Sequence, residues 1–203
     1  NDFSKAFFDE NGELLLTKFK EFFELPCIVG DKQRHERIKT KILALKEIDK
    51  KSLDAEQVQN ETAVIRCIGL TIETKPDYCK RSHIETMLHL GVTRVEIGVQ
   101  SLRNEVFRFT NRGHSIDDVI ESFKTARNAG LKIVAHMMPG LPGSSPKKDL
   151  EDLHQLLYDP RYKPDMLKIY PTLVLRNTGL HKLHCNGQFT PYTDEEMVKI
   201  LVE

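Results

Sequence analysis

Short runs of β-branched and other apolar residues alternate along this chain with longer segments whose apolar positions recur every three or four residues. Val64 to Ile72 and Val95 to Val99 are two such runs. The segment between them, Lys80 to Leu90, carries Ile84, Met87 and Leu88 at helical spacing. A helix-length piece between two β-branched runs is the sequence form of a βαβ unit, with parallel strands and a right-handed crossover. Gly91 stands where a helix C-cap is expected. Leu102 to Thr110 then predicts a short helix. Ser115, with Asp118 three positions on, is a capping-box variant that opens another, with Val119, Ile120, Phe123 and Ala126 on one side and Gly130 past its end. Leu131 to Met138 predicts a third strand, closed by Pro139-Gly140-Leu141-Pro142-Gly143, and Pro146 opens a helix through Leu157 ahead of a fourth run from Met166. The repeating unit of roughly 30 to 35 residues predicts an α/β fold, a parallel barrel or a doubly wound sheet. Its parallel strands are expected near 66–73, 94–99, 132–138 and 166–172, with helices on one outer side.

The first 60 residues follow another pattern. Phe3, Phe7, Phe8, Phe19, Phe22 and Phe23 cluster there, Asp9-Glu10-Asn11-Gly12 is a turn signal, and Pro26 and Gly30 are breakers. From Asp31 to Asn60 the chain is highly charged, with Ile38, Ile42, Leu45 and Ile48 forming the narrow stripe of an amphipathic helix. Its basic cluster, Lys32, Arg34, Arg37, Lys39 and Lys41, reads as a solvated face, since Asp49, Asp54 and Glu56 soon follow. Residues 1–60 are therefore expected to be a linker-like, largely helical insertion, and residues 61–203 the barrel portion. The start lacks Met, which suggests a fragment.

Charge narrows the functional classes. Thirty basic residues balance thirty acidic ones in a chain of 203, so net charge exerts no strong pull toward nucleic acid, and any RNA-binding patch must be local. No apolar run approaches the roughly 18 residues of a membrane span, no signal peptide opens the chain, and a cytoplasmic protein is expected. Cys27, Cys67, Cys79 and Cys185 lie far apart without a C-x-x-C pair, against a zinc ribbon or local disulfide framework. They read as isolated thiols, with Cys67 buried in the first strand, and no metal ligand is assigned.

Polar residues that interrupt or end the apolar runs are the candidates for chemistry, because α/β barrels build their sites at the C-terminal strand ends. Glu73 and Gln100 end the first two strands. A carboxylate in Glu73's position is expected to be desolvated on one side and to need a cationic or hydrogen-bonding partner; the alternative is pairing with Lys75 or Arg94. Gln100 could equally bond a neighbouring loop. Arg112, between Asn111 and Gly113 in a turn, suits a bidentate carboxylate clamp, the alternative being a surface arginine. His136 interrupts the third strand, as an inward site or a satisfied core histidine would. Lys168 and Tyr170 share one face of the fourth strand, about 7 Å apart, and a lysine inside a barrel needs an anion or water beside it. The alternative is a salt bridge to Glu96 or Glu73 that only neutralises the strand ends.

The segments Ile68-Gly69-Leu70-Thr71-Ile72-Glu73-Thr74-Lys75-Pro76-Asp77-Tyr78-Cys79, Arg94-Val95-Glu96-Ile97-Gly98-Val99-Gln100-Ser101, Asn111-Arg112-Gly113-His114, Ala135-His136-Met137-Met138-Pro139 and Leu167-Lys168-Ile169-Tyr170-Pro171-Thr172-Leu173-Val174 together resemble the radical S-adenosylmethionine domain of the Elongator catalytic subunit, in an archaeal form. The resemblance covers about residues 61–203. It implies a partial TIM-like parallel β/α barrel, the radical SAM fold, incomplete at its N-terminal side. It also implies S-adenosylmethionine, a 4Fe-4S cluster, and acetyl-CoA as co-substrate in modifying C5 of the wobble uridine of tRNA. Glu73, Gln100 and Arg112 resemble the residues that hold S-adenosylmethionine in related enzymes, and His136 stands where many have an Asp toward the ribose. Lys168 and Tyr170 are expected to be catalytic, facing tRNA or the acetyl donor. The cluster-binding cysteines are expected before residue 1 and an acetyltransferase domain after residue 203, so the fragment alone is expected to be inactive. tRNA, a second copy and Elongator-like subunits are the expected partners. The alternative class is a non-catalytic RNA-binding or assembly scaffold that keeps the barrel.

Overall fold

The computed structural model describes residues 6–28, 30–45 and 51–202, and the chain divides between Ile68 and Gly69 into two compact units. The first contains α1 (Leu16–Phe23), α2 (Lys32–Ala44) and α3 (Leu53–Glu61). Its phenylalanines form a small core: Phe7 is buried, and its ring lies 5.7, 4.9 and 5.8 Å from those of Phe19, Phe22 and Phe23. The segment expected as one helix over 31–60 holds two. Asp31 caps α2 by accepting from Arg34 N at 2.9 Å, and Ser52 opens α3 by accepting from Ala55 N at 3.2 Å. Ile38 is buried, while Ile48 of the expected stripe lies outside the described residues. The basic face of α2 is partly engaged, since Arg37 and Lys41 close on Glu24 at 2.7 and 3.0 Å and hold its carboxyl down at about 2.

The second unit is the expected α/β structure. β1 (Thr71–Thr74), β2 (Arg94–Gln100), β3 (Lys132–Met137) and β4 (Met166–Ile169) form a parallel sheet in that order. The crossovers are α4 (Arg81–His89), then α5 (Asn104–Phe109) with α6 (Ile116–Asn128), then α7 (Pro146–Tyr158); α8 (Gly179–Cys185) and α9 (Asp194–Val202) follow. Side chains alternate across a strand. Val95, Ile97 and Val99 of β2 and Ile133, Ala135 and Met137 of β3 therefore all enter one core with Ile84, Val119, Phe123, Leu153 and Leu156 of the helices. The remaining positions face the other side of the sheet: Glu73; Arg94, Glu96, Gly98 and Gln100; His136; Lys168 and Tyr170. That face is the concave surface of a partial barrel.

Two boundaries differ from the sequence pattern. β1 begins only at Thr71, and Cys67 is exposed rather than buried in a strand. The Asn60 side chain brackets the Cys67 peptide, accepting from its N at 2.8 Å and donating to its O at 2.9 Å, so that backbone is satisfied within the first unit. β4 stops at Ile169, two residues before Pro171, which has no N–H for a ladder.

Candidate functional site

Two polar clusters occupy the concave face. The first lies at the C-terminal end of β2. Gln100 has φ 72, a left-handed conformation uncommon for a side-chain-bearing residue, and the β2–β3 register shifts between Ile97 and Gln100. Arg112 arrives from the turn after α5, where Asn111 (φ 52) and Gly113 (φ 78) reverse the chain. Its Nη2 donates to Gly98 O at 2.8 Å. Burial pushes the Arg112 guanidinium below its ordinary range, and its Nε and Gln100 Oε1 are buried without a hydrogen-bond partner among the described residues. Gly98 lies beneath this pair. A Cβ there would sit 3.1 Å from Gln100 Nε2, 3.2 Å from Arg112 Nη2 and 3.5 Å from Thr74 O. A buried cation and an amide with unused bonds, above a position where an added Cβ would already crowd them, suit a ligand bearing a carboxylate and further polar groups.

The second cluster is centred on Glu96, which is 2 % exposed. Its Oε2 accepts from Lys168 Nζ and meets His136 Nε2 at 2.8 Å, and its Oε1 lies 3.4 Å from Arg94 Nη2. Lys168 holds this carboxyl below the usual range, and the Glu96 carboxylate in turn raises the Lys168 ammonium. The His136 and Tyr170 rings meet edge to face at 5.4 Å. Glu73 Oε1 is 3.9 Å from Lys168 Nζ. Glu73 does not have the desolvated side expected of it: its side chain is 68 % exposed, on the outermost strand of this four-stranded sheet. Lys75 pairs instead with Asp77 and Arg94 with Glu96. Donor atoms of Glu73, Glu96 and His136 lie within 4.8 Å of one another, as in a metal site, but the Lys168 ammonium already stands among them as the cation.

His136 is thus an inward residue with a carboxylate partner, and Lys168 has the Glu96 contact that the sequence left open as its alternative. The composition of the second cluster could be read only in part from the chain. Glu96 alternates with the core residues Val95 and Ile97 and carries a charge, which was the available signal. Asp149 and Asp152 were also missed. These two buried carboxylates of α7 pin the rim loops: Asp149 accepts from Gly140 N at 2.7 Å and Tyr192 Oη at 2.8 Å, and Asp152 from Ser101 Oγ at 2.7 Å and Leu102 N at 2.8 Å. Acidic residues at three-residue spacing among the apolar positions of a helix were their trace.

His114, beside the first cluster, is buried against Phe107 at 4.3 Å, and its ring nitrogens have no hydrogen-bond partner among the described residues. Burial first, and Arg112 and Lys75 after it, push its imidazole down to about 4, with Asp77 and the nearby Val99 backbone opposing. A folded value below the ordinary 6.5 means that the unfolded chain takes up the proton first. Stability is therefore present above pH 6.5 and is lost as pH falls toward 4, by about 3 kcal/mol in total. His114→Gln should flatten that acid limb in urea titrations at pH 7 and pH 4.5; an unchanged pH slope would refute the buried neutral ring.

The Radical SAM superfamily matches residues 30–157, and the Radical_SAM C-terminal domain matches residues 164–203. The chain belongs to the radical SAM superfamily, which implies S-adenosylmethionine and a 4Fe-4S cluster. Within it, the chain is 44% identical over 164 residues to the tRNA uridine(34) acetyltransferase of Methanocaldococcus infernus, covering 81% of this chain and 31% of that protein. It is 46% identical over 142 residues to Elongator complex protein 3 of Homo sapiens, covering 70% and 26%. The solved structure of the archaeal Methanocaldococcus infernus Elp3 with an N-terminal deletion superposes with a TM-score of 0.72 at 45% identity, over 75% of this chain and 36% of that one. Coproporphyrinogen III oxidase from Escherichia coli, at 18% identity and a TM-score of 0.55 over 82% of this chain and 35% of that one, shares the fold. The chain spans about a third of the length of the curated relatives it matches.

The two implied groups fare differently against the residues present. Cys27, Cys67 and Cys185 are exposed, burial pushes the Cys79 thiol up to about 12, and among the described residues no three cysteines approach one another. The described residues therefore do not supply the cluster's ligands. The Gly98 cradle, with the unpartnered Gln100 and Arg112 atoms, does fit a cofactor that ends in an amino acid. Among the described residues no helix is long and apolar enough to cross a membrane.

Proposed function

We propose that this chain is the cofactor- and substrate-facing part of a cytoplasmic tRNA-modifying radical enzyme, one that uses S-adenosylmethionine and acetyl-CoA to modify C5 of the wobble uridine. The observation that carries this reading is the cradle over Gly98, where Arg112 and Gln100 hold unused buried bonds. The names of the relatives supply the substrate class. Arg112 takes the methionine carboxylate of the cofactor, Gln100 and Glu73 its remaining polar groups, and His136 faces the ribose. The chemistry such a cofactor supplies when bound is a 5′-deoxyadenosyl radical. The chain's own contribution is to orient the ligands and exclude water from them. Lys168 and Tyr170 point to the same concave side and serve the second substrate, the lysine through charge and the tyrosine through its hydroxyl and its exposed ring. Domain limits of 1–60 and 61–203, and tRNA, a second copy or Elongator-like subunits as partners, belong to the same reading.

The test uses the full-length protein, purified and reconstituted without oxygen. S-adenosylmethionine binding, release of 5′-deoxyadenosine and acetyl-CoA-dependent modification of tRNA should all be observed. Lys168→Ala should lower tRNA turnover by about 100-fold with an unchanged circular dichroism spectrum, the scale of a lost positioned group. Near wild-type turnover would remove Lys168 from the active site. A wild-type protein that binds tRNA but neither binds nor cleaves the cofactor would favour a scaffold instead.

A further inference from the structure

We propose that Glu96 is a positioning residue of this site, whose one buried carboxylate fixes the Lys168 ammonium and the His136 imidazole toward the ligands at the strand ends. The proposal rests on the cofactor and substrate reading given above. Glu96 belongs to β2, His136 to β3 and Lys168 to β4, and the last two are register partners. The carboxylate thus spans three strands and gathers both side chains onto its Oε2, while Arg94 approaches its other oxygen at 3.4 Å. Among the described residues nothing else near Lys168 is placed to do this. The other carboxylate, Glu73, is 3.9 Å away on an exposed edge, and Tyr170 stacks on His136 rather than bonding the ammonium.

The charges explain why a glutamate is needed there. Arg94 and Lys168 are two cations on one concave face, and Glu96 is the buried anion between them. A lysine is a point charge on a flexible four-carbon stem. Without its anchor it turns toward Glu73 or solvent, and a displacement of about 1 Å is enough to cost about 100-fold in rate. His136 at the same time loses the acceptor that fixes its ring. The arrangement is not a divalent cation site, because the ammonium fills the position that a metal would take.

The experiment compares wild type, Glu96→Gln, Glu96→Asp, Lys168→Met and the double variant Glu96→Gln/Lys168→Met in the full-length reconstituted protein. Three quantities are read: the dissociation constant of S-adenosylmethionine, turnover on tRNA, and the rate at which an amine-selective acylating reagent modifies Lys168, followed by peptide mass spectrometry. Glu96→Gln should cut turnover about 100-fold, weaken cofactor binding by a smaller factor of about tenfold because His136 loses its anchor, and raise Lys168 acylation about tenfold. Glu96→Asp should recover part of the turnover. The double variant should be slower than Lys168→Met only by the smaller loss through His136, well short of the product of the two single losses, because residues acting as one unit are not additive. Turnover of Glu96→Gln within threefold of wild type would overturn the proposal. So would a double variant that shows the product of the two single losses, or a parallel loss of cofactor affinity and turnover that aspartate does not relieve. If wild type shows no turnover, the functional reading falls, and the acylation rates of wild type and Glu96→Gln still decide whether Glu96 holds Lys168.

Discussion

Replacing Gly98 by valine should abolish S-adenosylmethionine binding while leaving the sheet folded. The position is buried in the central part of β2, and even one added carbon would lie 3.1 Å from Gln100 Nε2 and 3.2 Å from Arg112 Nη2. Contacts that close require the neighbours to move by a few tenths of an ångström, which the ends of two side chains can do. Gly98→Ala should therefore weaken binding by only about tenfold. Valine adds two methyl groups into the same space. It would drive the guanidinium off Gly98 O, its 2.8 Å acceptor, and fill the room the cofactor needs. A loss of about 1,000-fold is expected, since misplacement of about 1 Å costs about 100-fold and direct exclusion adds to it. Isothermal titration with the reconstituted full-length protein measures this, and circular dichroism monitors the fold. Valine and wild type binding with equal affinity would move the cofactor away from this cradle, and with it the roles given to Gln100 and Arg112.

Asp152→Ala should destabilise the second unit by about 3 kcal/mol, the scale for leaving two buried donors without their acceptor. Asp152 is 2 % exposed and lies on α7, away from the ligand-facing clusters. It holds the loop that follows Gln100: Ser101 Oγ and Leu102 N donate to it at 2.7 and 2.8 Å, and Arg103 Nε lies 3.0 Å from its second oxygen. Alanine leaves Ser101 Oγ and Leu102 N without this acceptor and removes one of the two carboxylates beside the Arg103 guanidinium. Burial raises the Asp152 carboxyl above its ordinary value, against the pull of those donors. Asp152→Asn, which keeps one carbonyl acceptor in place, should therefore cost less than alanine. For a domain of this size the loss should appear as a fall of about 10 °C in the melting temperature. Because Gln100 adjoins the loosened turn, cofactor affinity should fall with it. A melting temperature within 2 °C of wild type would mean that the loop has other anchors.

The candidate site shows which features can be read from a chain and which cannot. Glu73, Gln100, His136 and Lys168 were visible as polar breaks at the ends or in the middle of apolar strands, since the period of two is strictly local. Arg112 was visible through the Asn and Gly that flank it, residues that tolerate the positive φ observed at both positions. Asp149 and Asp152 were hidden, because an acidic residue on a helix reads as solvated until something packs over it. The exposure of Glu73 was equally hidden, since it depends on what packs over β1 and not on the residues beside it in the chain.

The sequence by itself determined the element types of the second unit and their parallel order, because hydrophobic periodicity, capping residues and βαβ handedness are properties of short segments. It determined on which face of its strand each of Glu73, His136, Lys168 and Tyr170 lies. Tertiary structure alone decided the partnerships. Glu96, 72 residues from Lys168 and 40 from His136, became the acceptor of both only when three strands came into register. The strand ends were likewise decided in three dimensions, as where Asn60 brackets the Cys67 peptide. Hydrogen bonds and ion pairs form between whatever groups packing brings within about 3 Å, and no local pattern encodes that meeting.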